Sequence, residues 1–116
     1  MEFGELIDRA MQIRSQYAAF EHATYGRAWT REEVALGFVG DVGDLLKLVM
    51  AHSGVRDIPD AGPKLAHELA DCLWSILVLA QMHGVDLERA FLQTMDELER
   101  HIISKLGEQD EIQKPR

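Results

Sequence analysis

The chain has 116 residues, enough for one domain with a modest core and too few for two domains. Hydrophobic residues make up 47% of it and charged residues 28%, which is the composition of a globular protein and excludes a disordered one. The formal charge of −8 argues against a surface for nucleic acid or anionic membrane, since either needs a basic patch, and suits a protein that collects cations.

Two helices are predicted in the first half of the chain. The first runs from about Phe3 to Thr24, and Tyr25-Gly26 closes it. Its apolar residues recur every three or four positions, as in helix–helix seams: Phe3, Leu6, Ala10, Ile13, Tyr17 and Phe20. The second begins at Thr30, where Thr30-Arg31-Glu32-Glu33 has the form of a capping box, and it runs to about His52.

Two further helices follow a loop from Gly54 to Gly62. The third has Pro63 in its first turn and ends before Gly84. The fourth follows Asp86 as its N-cap and is predicted to stop at Gly107. We therefore expect a helical domain at residues 1–106 and a polar C-terminal tail at 107–116. With no hairpin signal anywhere, the sequence predicts an all-α, four-helix bundle.

The third helix predicts an oligomer. After Asp71 it is apolar on every face as far as Ala80. A helix of this kind must be surrounded, and three partner helices hardly suffice in so small a chain. The simplest additional cover is a second subunit, so we expect the bundle to be completed by oligomerisation.

Four acids in two pairs carry most of the functional information. Asp41 and Asp44 lie three residues apart in the second helix, and Glu68 and Asp71 lie three apart in the third. This spacing places each pair on one helix face, beside apolar rows. Two like charges about 4 Å apart repel by about 4 kcal/mol at an effective dielectric constant near 20, before desolvation is counted.

A hard divalent cation relieves such repulsion. Mg²⁺ takes oxygen ligands and is typically shared between carboxylates and substrate phosphates. Two antiparallel helices with these pairs would form a four-carboxylate floor for Mg²⁺, with Mn²⁺ as the alternative cation. The spacing alone is equally typical of solvated helix surfaces, and it is the apolar neighbours that favour a metal site.

Three segments resemble one known family. Gly40-Asp41-Val42-Gly43-Asp44-Leu45 resembles the E-E-x-G-E-L segment of the MazG-like, all-α nucleoside triphosphate pyrophosphohydrolases. Glu68-Leu69-Ala70-Asp71-Cys72-Leu73-Trp74 resembles their E-L-x-D-x-L-W segment, and Gly84-Val85-Asp86-Leu87 resembles their G-I-D-L helix start. The resemblance covers roughly residues 3–102.

The resemblance implies a Mg²⁺-dependent hydrolysis between the α- and β-phosphates of a nucleoside triphosphate. The products are a nucleoside monophosphate and pyrophosphate, and the role would be the removal of non-standard or excess nucleotides. In that scheme the acids of both pairs hold the metal and are the catalytic residues: Asp41, Asp44, Glu68 and Asp71. Members of the family assemble as dimers or tetramers, in agreement with the apolar third helix.

Other residues are candidates for substrate binding. Trp29 could stack on the base, although a tryptophan at a helix start more often only packs against the helix. The sequence contains no P-loop and no glycine-rich dinucleotide turn. The phosphates must then be bound by the metal and by scattered basic residues, and Lys47 and Arg100 are the candidates. Trp74 is assigned to the core.

The histidines and the cysteine carry less information. The five histidines have no zinc-site spacing, and His67 is assigned to the surface although it adjoins Glu68. The single cysteine, Cys72, cannot form an internal disulfide and is expected to be an inert core thiol. No signal peptide and no apolar run of roughly 20 residues is found, so we expect a cytoplasmic protein without a membrane span.

The chain departs from the family pattern at three places. Gly40 replaces the first Glu of E-E, an acid that is thought to orient or deprotonate the attacking water in several members. Asp41 and Asp44 replace longer Glu side chains, and Thr94 stands where many members have a Lys that contacts phosphate. These departures leave open a catalytically impaired relative that binds nucleotide or metal as a regulatory module. A plain helical oligomerisation module is a third alternative.

Overall fold

The computed structural model of the chain describes residues 2–113, with side chains as far as Glu111. These residues form the helices α1 (Phe3–Tyr25), α2 (Arg31–His52), α3 (Ala61–Met82) and α4 (Leu87–Gln113). The described residues include no strand, so the prediction of an all-α chain is confirmed. Helices α1, α2 and α3 belong to one compact unit, and α4 belongs to a second unit.

Local signals set the helix ends. Gly26 ends α1 with φ at 83°, a left-handed conformation that glycine adopts without strain, and its N–H donates to the His22 carbonyl at 2.9 Å. Both halves of the predicted capping box form at α2: the Glu33 N–H donates to Thr30 Oγ1 at 3.2 Å, and the Thr30 N–H donates to Glu33 Oε1 at 3.1 Å. Asp86 Oδ1 accepts the Arg89 N–H at 3.1 Å at the start of α4.

The prediction that Gly107 stops the fourth helix is wrong, because α4 continues to Gln113. Glycine inside a helix costs about 1 kcal/mol against alanine, a penalty that good helix formers nearby can offset. Lys105 Nζ also lies 3.4 Å from Glu108 Oε2, an ion pair that spans the glycine. Residues 107–113 of the expected tail are therefore helical, whereas residues 114–116, like Met1, lie outside the described residues.

The core of the first unit is centred on α3. This helix packs more extensively against α2 than against α1. Val78 is completely buried, and full burial of such a side chain stabilises the fold by about 1.5–3 kcal/mol. Cys72 is also buried, as the sequence predicts. The Trp74 Nε1–H donates to the Ala10 carbonyl at 3.1 Å and so ties α3 to α1.

One face of α3 is not covered by the other described helices of the first unit. Leu69, Leu73 and Ile76 follow the spacing of a single helix face, and all three are exposed. By length and composition alone α3 is apolar enough to cross a membrane. Glu68 and Asp71 lie near its middle, however, where charged side chains are costly in a bilayer. The composition fits a core helix with one open apolar face.

Candidate functional site

The two acid pairs meet where α2 packs on α3. Asp41, Asp44 and Glu68 each offer a carboxylate oxygen within 4.8 Å of those of the other two residues. Glu68 and Asp71 form a second group of this kind with His67. The structure therefore brings all four sequence-predicted acids into one cluster.

The cluster has little neutralising charge of its own. Among the described side chains, the basic group within ion-pair distance of these acids is His67, whose Nε2 lies 3.2 Å from Asp71 Oδ2. The sequence assignment of His67 to the surface is correct, since the side chain is mostly exposed. Asp41, Glu68 and Asp71 are partly buried and only Asp44 is exposed, so their crowded charges have limited access to screening solvent.

Burial and like charges oppose ionisation within the cluster. Burial raises the pKa of the Asp41 carboxyl, the charges of Asp71 and Asp44 raise it further, and a hydrogen bond from Ser75 opposes the change. Burial also raises the pKa of Glu68, and Asp71 and Asp44 add to the effect. A bound cation would reverse both effects by favouring the charged carboxylates.

A cavity of about 380 Å³ opens beside the acids. Asp41 and Asp71 form part of its wall, and so does the buried Ser75. Aromatic side chains supply much of the remaining wall, namely Tyr17, Phe20, Tyr25, Trp29 and Trp74. The volume falls within the range of roughly 300–1,000 Å³ that is usual for small-molecule sites. The cavity therefore joins aromatic surfaces to the acidic cluster.

A sequence comparison identifies the family to which the chain belongs. The model of the MazG nucleotide pyrophosphohydrolase domain matches residues 2–102. The chain belongs to the MazG family. No curated protein and no solved structure gives a significant match. Members of the MazG family generally use divalent metals, in agreement with the acidic cluster between α2 and α3.

Trp29 lies at the cavity of this MazG domain, in the loop between α1 and α2. Its side chain is 41% exposed and lines the wall. A Cβ atom at Gly37 would lie 3.6 Å from the indole ring, an ordinary contact distance, so the helix passes directly beside the ring. The indole is thus backed by α2 and open towards the cavity.

Trp74 differs from its assignment to the core. It is half-buried and lines the cavity of the MazG domain, with its ring centroid 5.9 Å from that of Tyr17 and an angle of 49° between the ring planes. Tilted aromatic pairs of this kind stabilise one another by about 0.5–1.5 kcal/mol. Tyr17 and Phe20, assigned to a helix seam by their spacing, are largely exposed at this wall.

A buried ion pair in the cavity wall was missed by the sequence analysis. Arg14 donates to both carboxylate oxygens of Glu21 at 2.5 and 3.0 Å, and both side chains are buried. The hydrogen bond from Arg14 lowers the pKa of the Glu21 carboxyl more than burial raises it. The available signal was a basic and an acidic residue seven positions apart, two turns apart on one face of α1.

The predicted phosphate-binding residues are exposed. Lys47 is on α2, three residues beyond Asp44, and is not part of the cavity wall. Arg100 is on α4, in the other unit of the MazG chain. Among the described residues the basic side chain in the cavity wall is Arg14, which is already paired with Glu21.

Proposed function

We propose that this MazG protein is a Mg²⁺-dependent nucleotide pyrophosphohydrolase that cleaves between the α- and β-phosphates of a nucleoside triphosphate. The observation that carries the proposal is the shared cavity, in which Asp41 and Asp71 adjoin a wall of aromatic rings. A nucleoside triphosphate combines a flat base with a polyanion that needs a cation. Both halves of such a molecule have a counterpart in the cavity.

The donor set fits the proposed metal. Hard divalent cations such as Mg²⁺ and Mn²⁺ prefer carboxylate oxygens, and here the acids of two helices offer them within 4.8 Å of one another. The metal would be held by Asp41, Asp44, Glu68 and Asp71. When bound, it would supply neutralisation of phosphate charge and activation of a water molecule.

The remaining residues bind and orient the substrate in this proposal. Trp29 presents its ring to the cavity and stacks on the base. Lys47 follows Asp44 by three residues, on the same face of α2, and contacts the phosphates. Arg100 provides a second phosphate contact and lies within the matched MazG segment. We retain residues 1–106 as the functional domain.

The exposed apolar faces support a homo-oligomer. Leu69, Leu73 and Ile76 on α3 are exposed, and α2 carries five exposed apolar residues of its own (Leu36, Val39, Leu46, Val49 and Met50). Apolar surface of this extent usually marks an interface. We propose a homodimer or a tetramer that acts in the cytoplasm without a nucleic-acid or membrane partner.

Gly40 favours one alternative, a nucleotide- or metal-binding regulatory module with little or no turnover. The glycine removes the acid that the family resemblance assigns to the attacking water, one position before Asp41. Packing does not demand a glycine there, since an added Cβ would meet nothing within 4 Å. The wild-type chain is then expected to bind nucleotide without releasing pyrophosphate.

A pyrophosphate-release assay over a panel of nucleoside triphosphates with Mg²⁺ tests the proposal. We expect turnover by the wild type and a loss of about 100-fold or more in Asp41→Asn and Asp71→Asn, equivalent to about 2.7 kcal/mol of transition-state stabilisation. Asp57→Asn, at an exposed loop acid outside the cluster, is the matched control and should retain activity. Turnover that survives Asp41→Asn would contradict the proposed metal site, and nucleotide binding without turnover would favour the regulatory module.

A further inference from the structure

The Arg14–Glu21 pair is an unusual use of buried charge. Arg14 is 6% exposed and Glu21 is 4% exposed, and with Ala10 they are the buried residues of α1. Replacing a buried ion pair by apolar residues is often neutral or stabilising, so such a pair is weak support for a purely stabilising role. Both residues line the cavity, so the pair can position other groups of the cavity wall.

The pair holds the backbone of Trp29. Glu21 Oε1 accepts the Trp29 N–H at 2.8 Å in addition to its hydrogen bond from Arg14. Trp29 directly precedes Thr30, the N-cap of α2, and lies in the short connection after α1. The carboxylate therefore joins α1 to the residue whose indole ring faces the cavity.

A second arginine–glutamate pair lies on the outer side of the same connection. Arg27 donates to both oxygens of Glu33, and this pair is solvent-exposed. It has the same chemistry and nearly the same place in the chain, but its carboxylate does not bond to Trp29. The chain thus supplies a natural control for the buried pair.

We propose that Arg14 and Glu21 are positioning residues that fix Trp29 in the cavity wall and thereby set the affinity for the base of the nucleotide. The inference rests on the proposed function. Arg14 keeps the Glu21 carboxylate charged and oriented, and the carboxylate fixes the Trp29 backbone. The acids that would hold the cation lie on α2 and α3, so loss of the pair affects binding of the base and not the chemical step.

Glu21→Gln and Glu33→Gln form the matched experiment, with a nucleoside triphosphate and methyl triphosphate, which has no base, as substrates. We expect Glu21→Gln to raise KM for the nucleotide about tenfold, with kcat within about twofold, because base–aromatic stacking is weakened. KM for methyl triphosphate should not change. Glu33→Gln keeps the capping interaction and should alter neither constant.

A double-mutant cycle tests whether Glu21 acts through Trp29. In a Trp29→Ala background, Glu21→Gln should raise KM for the nucleotide no further, since the ring it positions is gone. An additive effect of the two substitutions would overturn the inference, as would an equal rise in KM for both substrates. A wild type without turnover would instead contradict the proposed function; the same cycle is then measured as Kd for a non-hydrolysable nucleotide, and absence of any nucleotide binding overturns both.

A variant that lacks both charges distinguishes a loss of positioning from a loss of stability. Arg14→Gln combined with Glu21→Gln leaves no unpaired buried charge and keeps an amide oxygen that can accept the Trp29 N–H. We expect this double variant to melt close to the wild type and to recover most of the affinity that Glu21→Gln loses. A recovered melting temperature with unrecovered nucleotide affinity would show that the pair does not act through this hydrogen bond.

Discussion

The cavity wall holds carboxylates in two contrasting environments. Glu21 receives two hydrogen bonds from Arg14, which lower the pKa of its carboxyl. Asp41 has no such partner; burial raises the pKa of its carboxyl, and the neighbouring acids Asp71 and Asp44 add to the effect. The two carboxyls line one cavity, yet their pKa values are shifted in opposite directions.

Burial alone does not explain the difference, because Glu21 is the more deeply buried of the two acids. The deciding factor is a cation supplied by the chain. The charge of Glu21 is neutralised by Arg14 within the chain, whereas the proposed metal site on α2 and α3 would take its neutralising charge from a cation in solution. Substitutions in each region can therefore be made separately, and their effects on turnover, metal-dependent stability and pH-dependent stability can be compared.

The largest effect should come from adding a fifth acid to the acid cluster on α2 and α3. A Cβ atom at Gly40 would meet nothing within 4 Å, so Gly40→Glu introduces no clash at that atom. A positioned general base contributes roughly 10²–10⁴-fold, so we expect a gain in turnover of about that size, measured as pyrophosphate release. Metal affinity should change little. An unchanged rate would mean that another group already activates the water.

A stability measurement with metal separates the two regions next. A ligand that binds only the folded protein at 100 times its Kd stabilises it by about 2.7 kcal/mol, so Mg²⁺ should raise the melting temperature and a chelator should reverse the rise. Asp71→Asn and Glu68→Gln should reduce this gain. Glu33→Gln, outside the cluster, should keep it. An equal gain in all variants would place the metal elsewhere.

Without metal, removal of one acid should stabilise the protein. The pKa of Asp41 in the folded protein lies above its ordinary value of 3.8. The protonated carboxyl therefore adds to the free energy of unfolding below pH 3.8, and this contribution is lost as pH rises through the folded pKa. At pH 7, metal-free Asp41→Asn should therefore be more stable by a few tenths of a kcal/mol, the size of a like-charge pair. Urea unfolding at pH 7 and at pH 3.5 measures the difference, which should vanish at the lower pH; a difference that persists there would contradict it.

The smallest effect concerns the exposed pair. Arg27 lowers the pKa of the Glu33 carboxyl to about 2 from 4.5, so the stability it contributes is present above 4.5 and is lost as pH falls towards 2. The wild type and Glu33→Gln should therefore differ slightly above pH 4.5 and converge by pH 2. Urea unfolding between these values tests the sign, and divergence at low pH would reverse it. High salt should reduce the difference, since the pair is exposed to solvent.

The fold was largely accessible from the sequence because its signals are local. A capping box at Thr30, a left-handed glycine at residue 26 and an N-cap at Asp86 each act within a few residues. The prediction that Gly107 ends α4 was wrong because the helix penalty of one glycine is only about 1 kcal/mol. The flanking residues then decide whether the helix continues.

The site was accessible only in part. The four acids could be predicted because paired carboxylates beside apolar residues repel one another, and a shared cation would relieve that repulsion. The spacing of Arg14 and Glu21 indicates a shared helix face, but periodicity does not tell that this face lines a cavity. Tyr17 and Phe20 were assigned to a packed seam for that reason, although the structure leaves them exposed at the cavity.

The aromatic wall has one practical consequence. The chain contains two tryptophans, Trp29 and Trp74, and both line the cavity. All of its intrinsic indole emission therefore originates beside this cavity, where we propose that nucleotide binds. A base that enters the cavity should change that fluorescence directly, so the unlabelled wild-type protein can serve as its own optical sensor of nucleotide occupancy. Trp29→Phe and Trp74→Phe would then show which of the two tryptophans gives the fluorescence change.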